Sequence, residues 1–250
     1  MLVASLAGCQ TMSDITGSLA SKAETQPAGD SQHVVEVYAE RYRANAKDAE
    51  AALAYGQALR ANGQRAQATA VLEQATLANP GNKALLAVYG RSLVDNGNFQ
   101  QAFDVLSKAH SPDNPDWRIL LVQGTTLDQL GRHEEARRYY ESALKIAPGE
   151  PSVLSNLGLS YMLSRDLPRA EEVLRQAYAN PKADSRVRQN LGLVVGLQGR
   201  FAEAVDIVKA DVPPEAAAAN VAYLKEMLKG KDGPRGGRGQ IPVAQLNRGD

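Results

Sequence analysis

Residues 151–184 read PSVLSNLGLSYMLSRDLPRAEEVLRQAYANPKAD, and the 34 residues after them open with SRVRQNLGLVVGLQGRFAEAV. Set one beneath the other, Gly158 falls on Gly192 and Ala170 on Ala204. The same step taken toward the N-terminus meets Gly124, Gly90 and Gly56, and with them Ala136, Ala102 and Ala68. Five glycines and five alanines in one register define units 49–82, 83–116, 117–150, 151–184 and 185–218, with glycine at position 8 and alanine at position 20. A fixed period of this length marks a repeat architecture in which each unit is one supersecondary element. Position 27 is Ala75, Ala109, Ala143 and Ala177 and departs only at Asp211; position 15 is Gly63, Gly97, Gly131 and Gly199 and departs only at Arg165. Pro80 and Pro148 close two units at position 32, with Pro115 and Pro181 one residue away.

Inside a unit the apolar spacing is helical. Leu154, Leu157 and Tyr161 recur at intervals of three and four, which puts them on one face of a first helix, and Val173, Leu174 and Ala177 do the same on a second. Antiparallel helices approach closely only where side chains are small, so Gly158 opposite Ala170 predicts backbone contact with larger residues packed around it. Glycine at position 15 suits the turn between the helices, and proline near the end of a unit stops the second helix. The pattern resembles the tetratricopeptide repeat, whose 34-residue unit carries large residues at positions 4, 7, 11 and 24 and small ones at 8, 20 and 27. The resemblance implies an all-α solenoid, a right-handed superhelix of helical hairpins around a concave groove. A lone hairpin cannot bury its apolar face, so such units gain stability by stacking.

The array covers 49–218, and its flanks complete the domain plan. Residues 32–48 are expected to form an N-terminal capping helix that turns Val34, Val37, Tyr38 and Tyr42 onto the first repeat. Residues 216–229, after Pro213 and Pro214, are expected to form a C-terminal cap with Val221, Leu224 and Leu228 inward. The tail 230–250 begins GKDGPRGGRGQ from Gly230 and is too rich in glycine and charge to pack. Its single Arg235-Gly236-Gly237-Arg238 lacks interleaved aromatics and reads as a solvated tail rather than an RNA contact, and Arg248-Gly249-Asp250 as a chance tripeptide. The chain holds 28 basic and 28 acidic residues, a balance that argues against a dedicated nucleic-acid binder. One cysteine excludes an internal disulfide framework and a multi-thiolate zinc site, and His33, His110 and His133 are scattered, so no metal or cofactor is expected.

That one cysteine lies in Leu6-Ala7-Gly8-Cys9, at the end of an apolar opening and before the polar Gln10 to Asp14. This resembles the bacterial lipoprotein box, in which the thiol receives a diacylglycerol and the chain is cut after the glycine. The resemblance makes 1–8 a signal remnant, Cys9 the lipidation residue and 9–31 a flexible tether. Only eight residues precede Cys9, none of them Lys or Arg, so the natural start is expected to lie upstream. Two or three acyl chains would anchor the protein stably, at about 0.8 kcal/mol per buried methylene. The absence of Asp directly after Cys9 is consistent, by the sorting rule of enteric bacteria, with the outer membrane, facing the periplasm. The alternative is a free or buried Cys9 in a leader without structure.

In the tetratricopeptide family the groove is made by positions such as 2, 5, 6, 9, 12 and 13 of the first helices. Carried onto this chain, these select Gln57 and Arg60; Arg91 and Asp95; Thr125, Asp128 and Gln129; Asn156, Leu159 and Met162; and Arg186, Gln189, Asn190 and Leu193. Asn156 and Asn190 share position 6, and their amides would suit the backbone of an extended peptide; the other reading has them bonded to neighbouring helices. No Lys recurs at these positions, so the basic clamp of chaperone-binding members is not expected. Glu134 and Glu135 beside His133 open the second helix of the third unit, where charge faces water and complements the helix dipole, and no catalytic constellation stands out. The chain is read as a non-catalytic scaffold.

Arg188-Gln189-Asn190-Leu191-Gly192-Leu193-Val194, followed by Gly196 to Phe201 and Asn220 to Leu224, narrows the reading. Together with the lipobox, these residues resemble the TadD family of lipoproteins of the tight-adherence (Tad, Flp) pilus machinery. The resemblance implies assistance to pilus assembly, with a secretin or another assembly component as partner. The alternatives are a peptide-binding adaptor of another cell-envelope complex, and an enzyme with an unrecognised site in the groove.

Overall fold

The computed structural model describes residues 28–111 and 113–229. Cys9 with the signal remnant, the tether up to residue 27, and the tail 230–250 with its Arg235 to Arg238 segment lie outside the described residues. Among the described residues there are twelve helices: α1 (Ala28–Ala44), α2 (Ala49–Ala61), α3 (Arg65–Ala78), α4 (Lys83–Asp95), α5 (Phe99–Leu106), α6 (Trp117–Gln129), α7 (His133–Ile146), α8 (Pro151–Leu163), α9 (Leu167–Tyr178), α10 (Ser185–Leu197), α11 (Phe201–Val208) and α12 (Pro214–Lys229). None of them is long and apolar enough to cross a membrane. The chain is all-α. The pairs α2/α3, α4/α5, α6/α7, α8/α9 and α10/α11 are the helical hairpins of a solenoid.

Each hairpin is built the same way because the same physical problems recur every 34 residues. The first helix begins behind a side-chain cap: Asp48, Asn82, Asp116, Glu150 and Asp184 each accept a backbone N–H of the first turn, satisfying donors that have no helical partner. It ends with two backbone bonds that close the last turn. In the first repeat Gly63 N donates to Arg60 O and Gln64 N to Leu59 O, at 3.1 and 2.9 Å. That closure needs a left-handed residue, and Gly63, Gly97, Gly131 and Gly199 have φ of 73° to 84°. The fourth repeat keeps the closure with Arg165 at φ 65°.

Position 8 needs glycine because of position 24. A Cβ on Gly56, Gly90, Gly124, Gly158 or Gly192 would come within 2.4–2.6 Å of Leu72, Leu106, Tyr140, Leu174 or Val208 respectively. At Gly158 it would also lie 3.2 Å from the carbonyl oxygen of Ala170, so the helix backbones meet where the small residues are. Position 20 and the alanines of position 27 are buried in every repeat that has them. Where position 27 becomes Asp211, its carboxylate accepts from Nη2 and Nε of Arg188, at 2.5 and 2.6 Å. Fully buried Leu59, Leu72, Leu85, Leu93, Leu106, Leu127, Leu174 and Leu191 form the spine of the core. Each contributes about 1.5–3 kcal/mol of apolar burial.

The terminal helices differ in detail from the expectation. α1 packs on α2, but its buried stripe is Val35 and Ala39, with Tyr38 and Tyr42 half-buried beside them; Val34 and Val37 are exposed. The i, i+3, i+4, i+7 set that fits the first repeat starts at residue 35, because small Ala39 allows the close approach and Tyr42 stacks against Tyr55 at 5.5 Å. α12 packs on α10 and α11 and begins at Pro214, a residue suited to the first helical position. Val221 is partly buried there, and the side chains of Leu224 and Leu228 lie outside the described ones.

Candidate functional site

The two sides of the stack are unlike. First helices pack on one another along the series α2, α4, α6, α8 and α10, whereas second helices pack on the first helices before and after them. A curved stack crowds the elements on its inner side, so the first helices form the concave wall. This wall carries the residues expected for the groove, and they fall into three groups.

The central group gathers around a shallow hollow of about 370 Å³, counted with the space open to solvent, between α6 and α8. Thr125, Asp128 and Gln129 border it from α6, Asn156, Leu159, Met162 and Leu163 from α8, and the Tyr140 ring from α7. Thr125 is buried and its hydroxyl donates to Val122 O of its own helix. Asp128 is the polar anchor. Its carboxylate accepts from Tyr140 Oη, Ser160 Oγ and His133 Nδ1, each at 2.8 Å, and its side chain is 7% exposed. Burial pushes the Asp128 carboxyl above its usual range, against the pull of its three donors. Burial, and then the neighbouring Asp128, push the Tyr140 phenol well above its usual value. The network fixes the floor of the hollow between two repeats, since Ser160 belongs to α8 and His133 and Tyr140 to α7.

The asparagines do not form a free ladder. Asn156 Nδ2 donates to Ser152 O one turn back in α8, and Asn190 Nδ2 donates to Ser155 Oγ across the repeat boundary, at 2.8 and 2.9 Å. Each amide already serves the protein: Asn156 bonds to the first turn of its own helix, and Asn190 to the first helix of the preceding repeat. Leu159, Met162 and Leu193 are all buried in the core, and Leu159 and Met162 form the apolar floor of the hollow. In the third group, Arg186 is exposed on α10 and Gln189 is half-buried.

The remaining group lies nearer the N-terminus. Arg60 Nε donates to Asp95 Oδ2 at 2.6 Å, a bond from α2 to α4. Arg91 is half-buried near them, and its buried Nε has no hydrogen-bond partner. Gln57 is exposed on α2. Glu134 and Glu135 are exposed in the first turn of α7, with Glu135 held by both arms of Arg132 at 2.7 Å.

Sequence reasoning missed Tyr140, Ser160, His133 and Leu163. The signal for the first was present: position 24 is aliphatic at Leu72, Leu106, Leu174 and Val208, and tyrosine only in the unit that has a carboxylate at position 12. A phenol in an apolar slot needs an acceptor, and Asp128 is that acceptor.

Family models for the tetratricopeptide repeat match residues 90–151 and 129–193, and one for the anaphase-promoting complex, cyclosome, subunit 3, matches residues 35–109. No curated protein matches in sequence. Among solved structures the chain is similar to the APC/C hetero-tetramer Cut9-Hcn1, with a TM-score of 0.65 and 17% identity over 81% of this chain and 41% of that one. It thus spans less than half the length of that chain. It is also similar to pilF of Pseudomonas aeruginosa, with a TM-score of 0.61 and 14% identity over 81% of this chain and 90% of that one. A third is YrrB, described as a TPR protein with an unusual peptide-binding site, with a TM-score of 0.54 and 16% identity over 76% of this chain and 99% of that one. At these identities the likeness is one of fold.

Proposed function

Because the chain is a tetratricopeptide repeat protein, and so a scaffold for contact with other proteins, we propose that it is a lipid-anchored adaptor that holds an extended segment of a partner along its first helices. The observation that carries this reading is the hollow between α6 and α8, where Thr125, Asp128, Asn156, Leu159 and Met162 come together on the concave wall. An apolar recess bordered by a few fixed polar groups suits one or two side chains of a partner, with contacts on either side supplied by neighbouring repeats.

The lipobox residues Leu6 to Cys9 and the likeness of 188–201 and 220–224 to the TadD family support a finer form of the proposal. The protein is tethered through Cys9 at the periplasmic face of the outer membrane and assists assembly of the Tad/Flp pilus, with the secretin or another assembly component in its groove. Repeat scaffolds of this kind are generally non-catalytic, and the Asp128 network has a structural task in the core that needs no reaction to explain it.

Deletion of the gene should abolish surface pili, counted by electron microscopy; unchanged piliation would overturn the pilus reading. Cys9→Ser should move the protein from the membrane to the soluble fraction. Gln129→Arg, at the half-buried rim of the hollow, in the lipidated protein should reproduce the deletion while leaving the helical circular dichroism signal intact. Normal piliation with Gln129→Arg would remove the hollow from the proposal and favour an adaptor that uses another surface.

A further inference from the structure

The geometry points to an acid-binding point on the concave wall, at which Arg91, flanked by Arg60 and Arg118, receives an aspartate or glutamate side chain of the bound segment. It rests on the groove reading above and adds the chemistry of one end of the partner.

Arg91 stands in the middle of α4, between the inner helices α2 and α6, and is half-buried, with its Nε shut off from water. A guanidinium presents five donors, and withdrawing them without acceptors is costly. Here the Nε is buried with no partner. The nearby carboxylates are otherwise engaged: Asp95 accepts from Arg60 at 2.6 Å, and Asp116 caps α6 by accepting from Arg118 N at 2.8 Å. Of the charges around it, those of Arg60 and Arg118 oppose that of Arg91, while Asp116 and Asp95 partly offset them. Burial first, and the Arg60 charge second, hold the Arg91 guanidinium below its usual value.

Arg118 is exposed at the start of α6, with its guanidinium 4.5 Å from the centre of the Trp117 ring, so the cluster has a cation at its rim as well as one at depth. An incoming carboxylate would meet Arg91 in a partly dry setting, where a charge-assisted bond is strongest, and would supply the acceptor that Asp95 and Asp116 do not give it. An arginine left in a state that costs stability until an acid arrives is the usual signature of a functional position rather than a packing one.

The test uses the protein spanning the array and both caps, and two short fluorescent peptides with amidated C-termini, one alternating Leu and Glu and one alternating Leu and Gln. Fluorescence anisotropy should show the Glu peptide binding wild type more tightly, with the preference shrinking as salt is added. Arg91→Met should weaken the Glu peptide about tenfold or more and leave the Gln peptide unchanged. The same variant should melt no lower than wild type, since it removes a strained charge. Arg118→Gln, at an exposed position, should give a smaller loss in the same direction and guards against misfolding of the first variant. Equal binding of the two peptides to wild type, or an undiminished preference in Arg91→Met, overturns this inference alone. Failure of both peptides to bind overturns the groove reading and this inference with it.

Discussion

The third and fourth repeats share a backbone and solve the same slot differently. At position 24 the third has Tyr140 and the fourth has Leu174, each pressed against the glycine of its own first helix. Tyr140 is tolerated because Asp128 at position 12 reaches its hydroxyl; the fourth repeat has Met162 at that position and needs no acceptor. The difference teaches that a polar group enters this core only as one half of a pair. The pair then shapes the hollow where the two repeats meet. An apolar pair gives stability alone, whereas the polar pair places a buried carboxylate beside the concave wall.

Transplanting one half of the pair should be the most damaging change. Leu174→Tyr puts a hydroxyl where Met162 offers no acceptor and adds volume against Gly158; overpacking and an unsatisfied donor together should cost about 4 kcal/mol. Adding Met162→Asp should recover part of that loss, and urea unfolding of the two variants would measure the recovery. No recovery would mean that volume alone decides what position 24 can hold.

Removing the acceptor from the third repeat comes next. Asp128→Ala strands the buried hydroxyl of Tyr140 and removes the bonds from Ser160 and His133, and should cost about 3 kcal/mol. Tyr140→Phe in the same background should then cost little more, because its hydroxyl has already lost its partner. Additive losses would show that the network does not act as a unit.

Much of this contrast could be read in advance, and the part that could not has a physical reason. The step of Gly56, Gly90, Gly124, Gly158 and Gly192 revealed the hairpins because position 8 touches a neighbouring helix in every unit, so the constraint is periodic. The caps Asp48, Asn82, Asp116, Glu150 and Asp184 are equally periodic and were a signal left unread. The Asp128 network escaped because it belongs to one unit only and joins a first helix, a second helix and the next repeat; periodicity cannot show what happens once. The stripe of α1 was set one residue too early for a related reason. A lone terminal helix has no second copy to fix its register, and Ala39 contributes by being small, which hydrophobicity does not report.

Position 21 separates the same two repeats by charge. Arg137 in the third donates to Ser164 of the fourth at 2.8 Å, while Glu171 in the fourth accepts from Arg175 at 2.7 Å and from Arg200 and Gln198 of the fifth. The Arg200 bond first, with Gln198 and Arg175 behind it, lowers the Glu171 carboxyl from an ordinary 4.5 to about 2. A carboxyl depressed by folding stabilises the fold fully above the unfolded value and loses that contribution as pH falls. Glu171→Gln should therefore cost about 1–2 kcal/mol near neutrality, a figure reduced because the arginines are 40–45% exposed and water screens them. The gap between wild type and variant should close as pH falls from 4.5 to about 2. A gap independent of pH would show that packing of the side chain, not its charge, is what counts.

The smallest effect should be a gain. At position 15 the third repeat has Gly131 at φ 76° and the fourth has Arg165 at φ 65°. Both make the same closing bonds, from Gly131 to Asp128 O and from Arg165 to Met162 O at 3.0 and 2.9 Å. A Cβ in the left-handed region costs about 1–2 kcal/mol, and the Arg165 side chain is exposed, so little packing offsets it. Arg165→Gly removes that strain but frees the unfolded chain, which returns about 0.4–1 kcal/mol of the gain. The net should be a stabilisation of about 0.5–1 kcal/mol, or a rise in Tm of about 2–4 °C per kcal/mol for a chain of this size. Gly131→Arg should lose a similar amount, because it imports the same strain into a turn that lacks it. If Arg165→Gly lowers Tm, the arginine makes a contribution that its backbone geometry does not reveal, and the two turns are alike in shape without being alike in energy.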